Sequence, residues 1–452
     1  MIKAMKFGGT SVGSERALRN LISIVKEERA DKALVVSAMS GVTNQLIAIM
    51  KEGRPASEAF YEELLWKHTS AVKALMPEAE LMELETKLRV RIGALRQSLE
   101  RYQEPSNQAM LRDTISSWGE RLSSVMVASL LRSAGVDAVA LTSEEAGIVA
   151  QGPPGNGMAN LEATARNFRS TVKPLIERGK VPIITGYYGC DSDGRPITFG
   201  RGGSDYSGSV VGYALDADAI EIWTDVDGFM TADPRVVPTA RRIEEMDYGE
   251  AAELAYFGAK VLHPRCIEPA RRKKIIVKVK NTFNPSAPGT CIGESRKKEG
   301  RLLKSVASKG DLAIIKVYSS EIVYNPSLVM HLLATVSDDG STVYAISTSL
   351  STLAFAVPSQ TARSICERLR RYGDGEVEKV TVKEGVSLIC AVGDDLINQT
   401  GAAARIFKVA QELDANIEMI SEGASDVSLN FVVPSDKANE VVRGIHDKFI
   451  GG

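Results

Sequence analysis

The segment Lys6-Phe7-Gly8-Gly9-Thr10-Ser11-Val12-Gly13 puts a lysine, two glycines and two hydroxyls between an apolar run and a helical pattern from about Ser14. Glycines let backbone N–H groups approach a phosphate, and a helix N-terminus adds partial positive charge. A lysine at a strand end reaches phosphate oxygens as a point charge. The spacing is neither GxxxxGK[ST] nor GxGxxG, so those two nucleotide loops are excluded. An ordinary strand–turn–helix connection is the plainer alternative.

A second cluster runs Thr198-Phe199-Gly200-Arg201-Gly202-Gly203-Ser204-Asp205-Tyr206-Ser207. Arg201, read as buried among its glycines, suits a bidentate grip on a carboxylate or phosphate. Ser204 and Asp205 open a helix whose small residues, Ser207, Gly208, Ser209, Gly212 and Ala214, let it lie close to a sheet or a ligand. N-capping by Ser204 or Asp205 would explain one residue but not the arginine. Further on, Trp223-Thr224-Asp225-Val226-Asp227-Gly228-Phe229-Met230-Thr231-Ala232-Asp233-Pro234-Arg235 takes a strand into an Asp/Gly/Pro loop, the position at which open α/β sheets bind nucleotides. The remaining ligands of a calcium loop are missing from it. Lys260 follows a helix in Phe257–Arg265, where His263 reads as structural or capping. Thr43 in Ser37–Asn44 and Glu120 in Ser117–Ser124 would by themselves be a turn residue and a solvated helix charge.

These groups need a frame. Short apolar runs at 4–7, 33–37, 136–141, 181–185, 219–224 and 275–279 alternate with helical patterns, which predicts an α/β fold with a mainly parallel sheet. Three long amphipathic segments, at about 57–75, 80–102 and 108–133, follow one another without a strand and read as a helical insertion. A Pro/Gly stretch and a charge run between Asn284 and Arg301 mark a boundary. Beyond it strands are expected at 312–318, 341–347, 351–357 and 376–383 with helices at 326–337 and 359–372. A second unit adds strands at 386–392, 415–421 and 427–433 with helices at 399–413 and 435–449. Each follows a βαββαβ order, the second lacking its last strand, which Leu302–Ala307 is expected to supply by interleaving. The expected domains are therefore 1–290, 302–384 and 385–452.

Composition narrows the partners. Among 452 residues, 55 Lys and Arg face 57 Asp and Glu, for a net charge of -2. That balance argues against nucleic acid or an anionic membrane as partner and favours a small ligand gathered by local charge. The five cysteines show no paired spacing, which suits a reducing compartment. With no signal-peptide pattern and no apolar run of membrane-spanning length, a soluble cytoplasmic protein is expected.

In this order, KFGGTSVG, SAMSGVTN, WGERLSS, TFGRGGSDYS, WTDVDGFMTADPR and ELAYFGAKVLHPR resemble the aspartate kinase family of the amino-acid kinase fold. The tail, with Ile346-Ser347-Thr348-Ser349 and Asn416-Ile417-Glu418-Met419-Ile420-Ser421, resembles that family's paired ACT domains. The resemblance implies a three-layer, mainly parallel catalytic domain followed by two α+β units, and ATP-dependent phosphorylation of L-aspartate with Mg²⁺. It implies Lys6 and Lys260 on the transferring phosphoryl group, and Gly8, Gly9, Thr10 and Ser11 around the phosphates. Arg201 would hold the α-carboxylate of aspartate and Glu120 its ammonium, Thr43 and Ser204 would add hydrogen bonds, and Asp205 would orient the lysines and the amine. Tyr187 would stand near the substrate, and Thr224, Asp225, Phe229, Met230 and Arg235 on the nucleotide side. Met230 takes the place of the family's usual Tyr, with Phe229 as its substitute. Ile346, Ser347, Asn416 and Ile417 would meet an amino-acid effector (threonine, lysine or methionine) in a homodimer or larger homo-oligomer. Tyr344 replaces the Asp of lysine-sensitive relatives, and Val323-Tyr324-Asn325-Pro326 replaces a glycine-containing turn. Rival readings are a kinase for acetylglutamate, glutamate, carbamate or a nucleoside monophosphate, and a non-catalytic amino-acid sensor. Length argues against a fused homoserine dehydrogenase.

Overall fold

The structure is a computed structural model that describes residues 1–53, 55–258, 261–294, 302–337, 340–371 and 376–451. The chain forms two compact units. The first comprises Met1–Phe229, Glu244–Tyr248 and Val261–Ser295, and the second Met230–Ile243, Gly249–Lys260 and Arg296–Gly452.

All six apolar runs of the first unit become strands of one eight-stranded sheet. Its order is Glu245–Asp247, Thr290–Gly293, Ile276–Asn281, Ala219–Thr224, Ile2–Phe7, Asp31–Val36, Val181–Thr185, Ala138–Leu141. Every pairing is parallel except that of Ile276–Asn281 with Thr290–Gly293. Strand alternation sorts the side chains onto two faces. Met5, Phe7, Leu34, Val36 and Trp223 belong to the core shared with the helical insertion. Lys6, Ala4, Ile220 and Ile222 face the opposite helix, Gly203–Leu215, which approaches closely because Gly208 and Gly212 carry no side chain. A Cβ on Gly208 would stand 2.9 Å from the Lys6 Cβ, and one on Gly212 2.4 Å from Ile220. Helices therefore cover both faces of the sheet, as in α/β folds generally.

The insertion holds four helices, Glu58–Val72, Glu78–Tyr102, Pro105–Ser116 and Trp118–Ser133. The single helix expected over 108–133 is interrupted at Ser117, whose hydroxyl donates to the Thr114 carbonyl at 2.7 Å and competes with regular helical bonding. Helix Trp118–Ser133 is buried along nearly its whole length, from Trp118 to Leu131, which is why a solvated Glu120 was the wrong reading.

In the second unit one antiparallel six-stranded sheet runs Ala345–Thr348, Thr352–Pro358, Ser305–Tyr318, Lys379–Val392, Ser428–Pro434, Met419–Ser421. The separate strands expected at 302–307 and 312–318 are one strand, Ser305–Tyr318. Its first half, Ser305–Lys309, pairs with Leu388–Val392 and its second half, Leu312–Tyr318, with Thr352–Pro358. Likewise 376–383 and 386–392 merge into Lys379–Val392. The register shift between Lys309 and Leu312 is where the long strand passes from one half to the other. Each half has its own apolar core beneath its helices. Ala232 and Val237 are part of the core around Leu303, Phe431 and Ile445, so the segment after Phe229 is built into this unit. Among the described residues no helix is long and apolar enough to cross a membrane.

Candidate active site

Four neighbouring parallel strands, ending at Phe7, Val36, Thr185 and Thr224, release their loops at the same edge of the sheet. Most of the candidate residues of the first unit lie in these loops or at the starts of helices Trp118–Ser133 and Gly203–Leu215. Carboxyl ends of parallel strands, with helix N-termini beside them, form a field suited to anions.

Lys6 is buried, and its Nζ lies 2.5 Å from Asp205 Oδ1. The Gly8 N–H donates to the Trp223 carbonyl at 3.0 Å, and the Ser11 N–H to Gly8 O at 2.9 Å. A Cβ on Gly8 would stand 3.3 Å from Lys6 Nζ, and one on Gly9 2.8 Å from Ala38 O. Gly9 thus has no room for a side chain against the Ala38 backbone, and one on Gly8 would crowd the Lys6 amine. Thr10 is exposed; Ser11 is buried, sharing a 2.7 Å hydrogen bond with Thr282. Thr43 is half-buried on the first turn of helix Val42–Glu52.

Glu120 is the most perturbed acid. Burial raises its pKa to about 8, against hydrogen bonds from the Ala38 backbone and Ser204 and the charge of Lys6. The Ser204 hydroxyl donates to Glu120 Oε1 at 3.4 Å. Helix Gly203–Leu215 begins after Gly202, in the left-handed region with φ 69°, without a side-chain cap. Ser204 and Asp205 are therefore not N-caps, and both are turned to other partners. Arg201, expected to be buried, is exposed on the turn between Gly200 and Gly202. Two left-handed glycines lift it off the surface instead of enclosing it. His263 packs on Gly202 and caps the short turn after it, its Nδ1 accepting from the Arg265 N–H.

Tyr187 is held at φ 77°, a conformation a tyrosine rarely adopts. Its carbonyl accepts from the Phe199 N–H at 2.8 Å, and its ring lies against Gly203. Burial lifts its phenol to about 12, so it stays protonated. Behind it Arg121 forms an ion pair with Glu144 at 2.7 Å and lies over the rings of Trp118 and Tyr188. Cys266 is buried beside Lys6 and Asp205, and burial pushes its thiol up.

On the remaining side, the Thr224 hydroxyl donates to Asp225 at 3.2 Å, and Asp225 is exposed. Phe229 is fully buried, and its N–H donates to Thr290, so its ring offers no open face. Met230 and Arg235 belong to the second unit, where Arg235 is engaged with Asp233 at 2.6 Å. Lys260 lies outside the described residues.

Residues 1–281 match the amino acid kinase family, and residues 389–449 an ACT domain. Over 459 residues the chain is 31% identical to lysine-sensitive aspartokinase 3 of Escherichia coli, covering 98% of each. It belongs to the aspartokinases. It is also 29% identical to an Arabidopsis thaliana bifunctional aspartokinase/homoserine dehydrogenase, covering 98% of this chain but only 50% of that protein. The chain thus spans about half the length of the bifunctional relatives it matches. The crystal structure of E. coli aspartokinase III in complex with aspartate and ADP superposes with a TM-score of 0.84 at 29% identity, over 99% of both chains. The aspartokinase fold accounts for both sheets, mainly parallel in the first unit and antiparallel in the ACT tail.

Sequence reasoning missed three groups beside these residues: Asp113, whose carboxyl accepts the Thr198 N–H at 2.7 Å, the Arg121–Glu144–Tyr188 cluster and Cys266. None had a signal, because their importance comes from burial, which a helix charge or a lone thiol does not announce.

Proposed function

We propose that this chain phosphorylates the side-chain carboxylate of L-aspartate with ATP, giving 4-phospho-L-aspartate. The reading places it in the cytoplasm, at the first step toward lysine, threonine and methionine. The observation that carries it is the buried pair of contacts at one sheet edge, Lys6 with Asp205 and Glu120 with Ser204. Likeness to a kinase solved with aspartate and ADP supports the substrate pair.

A polyanionic nucleotide and a carboxylate nucleophile repel one another, so the work is positioning and charge neutralisation. Lys6 bears on the transferring phosphoryl group, and the N–H groups of Gly9 and Thr10, not engaged within the loop as those of Gly8 and Ser11 are, donate to phosphate oxygens. Arg201, free of the surface on its glycine turn, takes the α-carboxylate in a forked grip. Glu120 and Asp205 take the ammonium, and Thr43, Ser204 and Tyr187 fix the remaining geometry. The β-carboxylate then faces the nucleotide already ionised at neutral pH, so no general base is required. Thr224 and Asp225 border the nucleotide.

Among the described residues no three His, Cys, Asp or Glu side chains cluster as a metal site. Mg²⁺ arriving on the nucleotide would need few protein carboxylates beside phosphate and water. When bound, the ion neutralises phosphate charge, and Asp205 is the carboxylate nearest the lysine that meets those phosphates.

Regulation is read at the antiparallel sheet. A groove of about 280 Å³ is lined by Lys316, Ser347, Thr348, Ser349 and Glu418. Asn416 orients Glu418 through a 2.9 Å hydrogen bond, and Ile346 is exposed on the edge strand Ala345–Thr348. Glu418 is also paired with Lys383 at 2.7 Å, so an amino-acid effector acting through a homo-oligomer would meet the Lys316 ammonium and the serine and threonine hydroxyls of the groove and compete with Lys383 for the carboxylate.

Replacing Arg201 with alanine tests the substrate assignment. The expected result is a KM for L-aspartate raised by ~100-fold with the KM for ATP little changed. An unchanged KM for aspartate removes Arg201 from substrate recognition.

A further inference from the structure

We infer that Asp113, in helix Pro105–Ser116 of the insertion, is the positioning residue that sets the Arg201 turn and thereby the selectivity for the amino-acid substrate. The inference rests on the proposed function. Asp113 is only 2% exposed, and it lies well away in sequence from the segments it holds. Its Oδ2 accepts the Gly155 N–H at 2.8 Å and the Thr198 N–H at 2.7 Å. One carboxylate oxygen therefore joins the turn after Gln151 to strand Pro196–Thr198, three residues before Arg201.

Neighbouring contacts make that junction stiff. The Gly157 N–H donates to Thr198 O at 2.9 Å. A Cβ on Gly200 would stand 2.8 Å from the Gly155 carbonyl, so the turn leans directly on the first left-handed glycine of the Arg201 loop. Arg265 Nη1 donates to Phe199 O at 3.3 Å, between the strand and the turn. The backbone leading into Arg201 is thus fixed at Thr198, Phe199 and Gly200, and Asp113 supplies the carboxyl contact. Two backbone N–H groups donating to one buried carboxyl oxygen leave both segments little freedom to move. Seven residues later, at the start of the next helix, stands Glu120, so one part of the insertion carries the ammonium partner and holds the carboxylate partner in place.

The test compares Asp113→Ala and Asp113→Asn with the wild type under saturating ATP and then saturating aspartate. A misplaced grip of about 1 Å costs on the order of 100-fold. The alanine variant is expected to raise the KM for L-aspartate by ~10–100-fold and to leave the KM for ATP within ~2-fold, with the asparagine variant between. A merely structural role would lower thermal stability and the active fraction and move neither KM. An unchanged KM for aspartate, or equal rises in both KM values, overturns the inference. Should the alanine variant not fold, the isosteric asparagine variant decides by the same split. A wild type that makes no acyl phosphate from aspartate defeats the proposed function itself, whereas an active Asp113→Asn variant with an unchanged KM defeats only this inference.

Discussion

The carboxyl group of Glu120 lies buried against the Ser204 hydroxyl, 3.4 Å from it, in the same pocket as the Lys6–Asp205 pair. Burial brings its pKa to about 8, whereas in the unfolded chain it ionises near 4.5. At neutral pH the empty site therefore holds mostly the protonated acid, and a substrate ammonium has to draw the proton off. The KM for L-aspartate should fall about tenfold between pH 7 and pH 9, as the carboxylate becomes available. Calorimetry at pH 7 in buffers of different ionisation enthalpy should detect proton release on aspartate binding. A flat KM over that range contradicts the assignment.

The same group makes a stability prediction of opposite sense. Between pH 4.5 and about 8 the folded chain binds more protons at Glu120 than the unfolded chain, so its contribution to stability falls as pH rises through that window. Glu120→Gln should flatten the decline while weakening aspartate binding. Melting temperatures from pH 5 to pH 9 for both proteins check the first half, and kinetics the second.

Lys6 sits on the face of its strand turned to helix Gly203–Leu215, paired with Asp205. Lys6→Ala should lower kcat by ~10³-fold or more, the scale of losing a transition-state charge partner. Its circular dichroism should be unchanged. A fully active variant removes Lys6 from the mechanism.

His68, inside the helical insertion, is fully buried, with Nδ1 bonded to the Leu64 carbonyl at 2.7 Å. Burial lowers its pKa from 6.5 to about 4. Its contribution is complete above pH 6.5 and is lost as pH falls toward 4, because the unfolded chain takes up the proton first. His68→Leu should make the melting temperature less sensitive to pH between 6.5 and 4. Equal acid sensitivity in both proteins would place the weak point elsewhere.

In the second unit Lys304 and Glu250 form an ion pair at 2.8 Å with almost no exposure on either side. Removing one partner of such a buried pair costs ~3–5 kcal/mol. Lys304→Ala should therefore lower denaturant stability by that order, and a change below ~1 kcal/mol would show that the pair is solvated in solution.

Much of the fold was legible because apolar runs of strand length, spaced by helical patterns, fall in a single sheet. Lys6 and Glu120 were legible only through their motifs. What the sequence did not disclose is burial. Arg201 looked enclosed and is exposed, because left-handed glycines push the turn outward. Phe229 looked available and is core. Asp113 resembled any helix carboxylate, since its partners are backbone amides that carry no sequence signature. The long strand Ser305–Tyr318 read as two pieces because Lys309-Gly310-Asp311 interrupts its apolar pattern, although the backbone continues through the register shift with Asp311 at φ 59°.

Regulation has its own test: threonine, lysine and methionine titrated separately against activity. Inhibition by one of them should weaken when Ser347 or Glu418, both lining the groove, is replaced by alanine. No response to any of the three counts against an effector role for the groove.

The central claim is tested most directly by trapping the product. Purified protein with ATP, Mg²⁺ and L-aspartate in the presence of hydroxylamine should yield aspartyl hydroxamate, and omission of any of the first three should abolish it. Hydroxamate from another amino acid but not from aspartate would keep the kinase and contradict the substrate, and no turnover with any acceptor would contradict catalysis and leave an amino-acid sensor.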